Sequence, residues 1–134
     1  MLQNFPILYY VLASTLLYWL MLLFASLAHA RGYTIAGFLL AVGNRDNMPN
    51  KTVFMARADR AAKNMAENLL IFAIVALASV SVGGKRDLAV LGAQIFLLAR
   101  LIYWPVYLAG IRYLRTAIWG VALGGVALTA FSMF

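Results

Sequence analysis

In the stretch RADRAAKNMAEN (57–68), Arg57, Arg60, Asn64 and Glu67 fall at i, i+3, i+7 and i+10, so a helix there presents them on one face. Lys63 lies at the edge of that stripe, one turn before Glu67. Arg100, Tyr103 and Tyr107 repeat the i, i+3, i+7 spacing, and Arg115 with Trp119 is an i, i+4 pair. Guanidinium groups grip carboxylates through parallel N–H donors and keep their charge while doing so. Together these residues suggest a polar pocket rich in arginine, with one carboxylate and two phenols. The chain contains no cysteine, one histidine and four acidic residues. It therefore has no disulfide framework and no thiol nucleophile of its own, and no metal centre is expected. Any sulfur chemistry must use a sulfur that arrives with a substrate.

The elements that position these residues belong in a bilayer. The chain has 134 residues, 65% of them hydrophobic and 11% charged, with a mean hydropathy of +0.88. Those values fit one domain of an integral membrane protein. The expectation is an all-α, integral membrane four-helix bundle, a single domain over 1–134 with spans at about 6–30, 60–83, 88–110 and 115–134. The run 6–30 is uncharged, and its AHA ending mimics a signal-peptidase site. No basic residue precedes it and it is too long for a signal core, so it reads as a retained first helix. Thr116–Phe134 is a clean run of 19 residues, about 28 Å of helix.

The middle spans are impure. Asn68–Gly84 offers 17 uncharged residues, about 25 Å against a hydrocarbon core of about 30 Å. The helix must therefore draw Glu67 and its neighbours to the membrane edge. Leu88–Ala99 and Leu101–Ile111 span only together, with Arg100 inside. Between the first two spans, Gly32–Met55 contains a short apolar piece, Ile35–Val42, which cannot cross and suits the interface.

Basic residues set the orientation. Arg31, Arg45, Lys51, Arg57, Arg60 and Lys63 surround the first connection and Arg112 and Arg115 the third, against Lys85 and Arg86 in the second. The larger share belongs in the cytoplasm, with both termini on the other side. The net charge of +7 follows from these flanks, and no soluble basic module is present to hold nucleic acid. Ionisable residues at membrane depth face a bundle interior or a wet cavity, so the three stripes predict one polar pocket toward the cytoplasmic side.

Plainer readings stand beside that one. Arg57, Arg60 and Lys63 can be flanking charges that snorkel. Arg100 and Glu67 can form a buried ion pair that fixes helix packing. Tyr103 and Tyr107 can be interface-belt aromatics, as Tyr9, Tyr10, Tyr18 and Trp19 are expected to be, there or against neighbouring helices. His29 reads as a membrane-edge histidine, Pro105 as a kink or the end of a turn. Gly120 and Gly124 read as a small-xxx-small site of close helix packing.

The segments RADRAAKNMAENLLIF and ARLIYWPVYLAGIRYLRTAIW resemble the two signature regions of the MAPEG family, the membrane-associated proteins in eicosanoid and glutathione metabolism. The resemblance covers the whole chain and is to bacterial-type members similar to the microsomal glutathione transferases. It implies a homotrimer in a bacterial inner membrane, with glutathione as co-substrate between neighbouring subunits near the cytoplasmic face. It implies that Arg57, Arg60, Asn64 and Glu67 hold the peptide's polar groups, with Lys63 where arginine also occurs, and that Arg100, Tyr103 and Tyr107 complete the site. The thiol-activating arginine falls on Arg115, with Arg112 its rival because the spacing after the second tyrosine varies between members. Arg31 resembles another arginine of active members, and Asn68 stands where some of them carry tyrosine.

The leading expectation is thus a membrane-bound glutathione transferase of detoxification, activating the glutathione thiolate for attack on lipophilic electrophiles delivered through the membrane lipids. Glutathione-dependent peroxidase activity toward lipid hydroperoxides is expected beside it. One alternative is a non-catalytic lipid-binding or structural trimer. Another is a small proton-coupled multidrug exporter; such exporters resemble each other in a glutamate in the first helix, and this first span has no acid.

Overall fold

The computed structural model describes residues 6–134. Five helices follow one another: α1 (Ile7–Ala30), α2 (Ile35–Val42), α3 (Val53–Ser81), α4 (Arg86–Ala109) and α5 (Arg112–Phe131). Among the described residues there is no strand. By length and composition α1, α3, α4 and α5 can each cross a membrane. The short α2 occupies the apolar piece of the first connection. With 29 residues α3 is about 43 Å long, well beyond a core of about 30 Å. Its first turns therefore stand clear of the hydrocarbon, which is why the helix begins at Val53, ahead of the apolar stretch. Thr52 starts it by accepting a hydrogen bond from the Met55 N–H at 3.3 Å.

The long helices alternate in direction. α5 packs most extensively on α4, α1 chiefly on α3, and α3 meets α4 between them. The end of α1, α2, the start of α3, the end of α4 and the start of α5 gather at one end of the bundle. There Phe24 meets Phe54 and Trp104 edge-on at 6.0 and 5.5 Å. This basic end holds eight of the eleven Lys and Arg residues, with Arg100 deeper in the bundle. α1 stops at Arg31 in the left-handed region (φ 55°), and the Gly32 N–H returns to the Leu27 carbonyl at 2.8 Å. α2 then folds back so tightly that a Cβ on Gly37 would lie 2.1 Å from the Arg31 carbonyl oxygen. α4 runs through Pro105, which does not end it, and stops at Gly110 (φ 80°).

Since lipid is as apolar as the interior, helix contact in a membrane is marked by small residues rather than by hydrophobicity. Ala61, Ala62, Ala76, Ala93 and Ala122 are buried between helices, and Phe72 stacks on Phe96 at 4.2 Å where α3 meets α4. The tightest approach joins α4 to α5. A Cβ on Gly92 would lie 2.5 Å from the Gly125 carbonyl oxygen, and one on Gly125 2.6 Å from that of Gly92.

The expected pair, Gly120 and Gly124, does not pack this way within the subunit: nothing lies within 4 Å of a Cβ at either, and both are exposed. α5 instead buries Ala122, Gly125, Val126 and Thr129, which at 100° per residue lie on the opposite side of the helix. At the end of the bundle away from the basic cluster, the Ser132 hydroxyl donates to the Thr129 carbonyl at 2.6 Å, so Ser79 donates to Ser132 at 2.7 Å. The Lys85 N–H meets the Ser132 carbonyl at 2.7 Å, tying the start of α4 to the end of α5.

Candidate functional site

The site is built on α3, α4 and α5, just inside the basic end. On α3, Asn68 donates from its amide to the Asn64 carbonyl at 2.8 Å, a local side-chain bond that leaves the Asn64 side chain free to point at α4. Arg100 reaches it: its Nη1 donates to Asn64 Oδ1 at 2.8 Å. The Arg100 side chain is 1% exposed and lies among aromatic rings, with Cζ 5.4 Å from the Phe96 centroid and 5.1 Å from that of Tyr103. These contacts suit a delocalised cation in a poorly hydrated place. They do not satisfy it. Among the described residues, Arg100 Nε and Nη2 have no hydrogen-bond partner.

One turn and two turns along α4, Tyr103 and Tyr107 continue the same face with ring centroids 5.4 Å apart, both buried. Arg115, in the first turn of α5, lays its guanidinium over the Tyr107 ring at 4.7 Å. Asn64, Tyr103, Tyr107, Arg115, Thr116 and Trp119 line a cavity of about 230 Å³. A single subunit thus brings together Asn64, Arg100, Tyr103, Tyr107 and Arg115 from three helices far apart in sequence. Arg112, the other arginine at the start of α5, is exposed and does not line the cavity.

Other residues of the three stripes lie elsewhere. Arg57 is half-buried and donates from Nη1 to the Leu108 carbonyl at 3.2 Å. Its guanidinium fills the space beside Gly110, where a Cβ would come within 2.4 Å of it. Arg57 thus fastens α3 to the α4–α5 turn. Arg60 and Glu67 are exposed, Lys63 lines a separate groove between α1 and α3, and Arg31 is exposed at the end of α1. The Arg100–Glu67 ion pair does not form. Arg100 lies level with Asn64, a turn nearer the basic end than Glu67, and Glu67 meets no cation among the described residues. His29 bonds through Nε2 to the Pro49 carbonyl at 2.8 Å, holding the long connection against α1.

Sequence spacing missed Thr116 in the cavity wall, Phe96 under Arg100 and the Asn68–Asn64 bond. The i, i+4 separation of Asn64 and Asn68 was the one available signal, since Asn side chains bond backbone carbonyls at that distance. Among the described residues, no group of three His, Cys, Asp or Glu side chains could hold a metal. The cavity wall offers one guanidinium and two phenols to an anion, with Arg100 buried behind Asn64 and Tyr103.

The family model described as the MAPEG family matches residues 6–134. No curated protein and no solved structure matches the chain.

Proposed function

This chain belongs to the MAPEG family, and on that premise we propose that it is a membrane-bound glutathione transferase with its site near the cytoplasmic face. The observation that carries the reading is the Arg115 guanidinium over Tyr107 at the mouth of a cavity backed by the underbonded Arg100. Glutathione offers two carboxylates, an ammonium group and a thiol. Cationic and hydroxyl donors complement its anionic groups, and charge-assisted contacts of this kind are the strong ones. Arg115 favours the thiolate over the thiol. The thiol proton leaves to solvent, the sulfur bonds to the electrophilic carbon of a membrane-soluble substrate, and the leaving group departs with its electron pair. The same thiolate can reduce a lipid hydroperoxide, with a second glutathione closing the disulfide.

The site as proposed is shared between subunits of a homotrimer. Arg60, Lys63, Glu67 and Arg31 lie outside the single-subunit cavity, and the exposed Gly120–Gly124 face of α5 is shaped for close approach of another helix. The basic end faces the cytoplasm, both termini the other side, in the inner membrane of a bacterium. The test is conjugation of glutathione to a generic aryl halide by the purified protein, against a no-enzyme control. No acceleration, with glutathione bound, leaves a binding protein rather than an enzyme; no binding removes glutathione from the account.

A further inference from the structure

A second cavity among the described residues is larger than the one between α3, α4 and α5. A groove of about 680 Å³ runs between α1 and α3 and carries two different surfaces along its length. Toward the bundle's middle it is lined by Tyr18, Trp19, Leu22 and Leu23 of α1. At the basic end it is lined by Arg45 and Lys51 of the long connection and by Asp59 and Lys63 of α3. The ten residues of helix from Trp19 to His29 put about 15 Å between the aromatic floor and the charged rim. That is the layout of a site for a molecule with an apolar tail and an anionic head.

The charges at the rim do not cancel. Lys51 is paired with Asp59. Arg45 spends Nε on the Ala41 carbonyl at 2.9 Å, and its two terminal nitrogens have no partner among the described residues. Lys63 is exposed and has no partner among the described residues. Two positive charges therefore stand in excess over the groove. A second copy of the chain is a poor source of the missing anions. Of the four acids, Asp59 is already paired and Asp87 lies at the opposite end of the bundle. Asp46 and Glu67 remain against seven basic residues of this end, Lys51 being paired with Asp59.

We propose that this α1–α3 groove binds an anionic phospholipid, its phosphate headgroup between Arg45 and Lys63 and an acyl chain along Trp19, Leu22 and Leu23. The headgroup layer of an anionic leaflet lies at the level of the rim, and juxtamembrane basic residues draw such lipids. None of these residues lines the cavity beneath Arg115, and only Lys63 is shared with the proposed glutathione site, so the lipid titration is run without glutathione and Arg45→Gln separates the two readings.

Trp19 is a built-in probe. The full chain in phosphatidylcholine nanodiscs is titrated with phosphatidylglycerol brominated on its acyl chains, and tryptophan quenching is followed. Brominated phosphatidylglycerol should quench more than brominated phosphatidylcholine at the same mole fraction, and Trp19→Phe should abolish the excess. Arg45→Gln and Lys63→Gln should each raise the half-saturating fraction about fivefold, the factor that about 1 kcal/mol per basic residue gives. Both side chains are exposed, and unchanged quenching by the phosphatidylcholine probe checks that each variant is folded. In the wild-type chain, molar salt should also remove the excess. Equal quenching by the two lipids overturns the proposal, leaving bulk lipid or a neighbouring copy in the groove. So does a preference that survives in the double variant. Displacement by soluble glycerol phosphate at matching concentration would leave an anion site and remove the lipid.

Discussion

The two ends of the α4–α5 pair are built to opposite rules. Away from the basic cluster, Gly92 and Gly125 bring the backbones together, and Ser79, Ser132 and the Lys85 amide bond to one another. Toward the basic cluster, Tyr103, Tyr107 and Arg115 of the same helices line a cavity, and two nitrogens of the buried Arg100 beside it have no partner among the described residues. One end is closed by its own groups and the other is left open. A buried cation short of hydrogen bonds reduces stability, a cost that the proposed ligand would offset.

The largest effect should come from breaking the closed end. In Gly92→Ala the added Cβ would meet the Gly125 carbonyl oxygen at 2.5 Å and the Thr129 amide nitrogen at 2.7 Å, both backbone atoms that cannot turn aside. The helices must part, and overpacking of this kind costs about 3 kcal/mol, less about 1 kcal/mol for the better helix propensity of alanine. Unfolding in mild detergent measures it. Gly120→Ala adds its Cβ to open space and should leave subunit unfolding no weaker, so equal losses at the two positions would dissolve the contrast between them.

Next in size is the open end's chemistry. Populating the thiolate of bound glutathione a hundredfold more takes about 2.7 kcal/mol of differential stabilisation, a reasonable figure for one charge-assisted contact in a partly dry site. Arg115→Ala should remove most of the thiolate ultraviolet signal and slow turnover by up to about that factor, with glutathione affinity changed far less. Arg112→Ala, at an exposed position outside the cavity, should do neither. The reverse outcome would move the activating role to Arg112.

Arg100→Met separates binding from folding. An apolar side chain of similar length removes the buried charge without leaving a void, and such replacements are often neutral or stabilising. Asn64 borders the cavity and can turn to water. The variant should melt no lower than the parent yet bind glutathione at least tenfold more weakly, about 1.4 kcal/mol. A chain that melts well below the parent and binds normally would make Arg100 a structural residue.

Much of this architecture is legible in the sequence. Apolar runs mark the four long helices, the middle two despite charged residues within them, and Ile35–Val42 marks α2, because a bilayer sets both composition and length. Helical periodicity likewise aligned Arg100, Tyr103 and Tyr107, whose spacing is fixed within one helix. Relations between helices were less legible. Whether Arg100 meets Asn64 or Glu67 depends on how far α4 slides along α3, and both residues sit on nearly the same face. The glycine pattern of α5 named Gly120 and Gly124, whereas the contact with α4 uses Gly125 against the isolated Gly92, which no local motif announces. Arg57 belongs to the stripe by spacing yet serves the Leu108 carbonyl, because the end of α4 happens to pass within its reach.

The smallest expected effect is the sharpest test of independence between the two ends. Ser79→Ala removes one hydroxyl that donates to Ser132, while Ser132 keeps its own bond to the Thr129 carbonyl. No buried donor is orphaned, so the loss should be at most about 1 kcal/mol of stability. Ser132→Ala strands the Ser79 hydroxyl, which must turn back on its own helix, and should cost slightly more. Ser79 and Asn64 are fifteen residues apart on α3, about 22 Å, and share no partner. Effects at such a distance ordinarily add. Glutathione affinity in Ser79→Ala should therefore equal that of the parent within a factor of two, read by isothermal titration in the same detergent. A tenfold change would mean that closing one end sets the geometry of the other. The bundle would then act as a single lever rather than as two independently built halves.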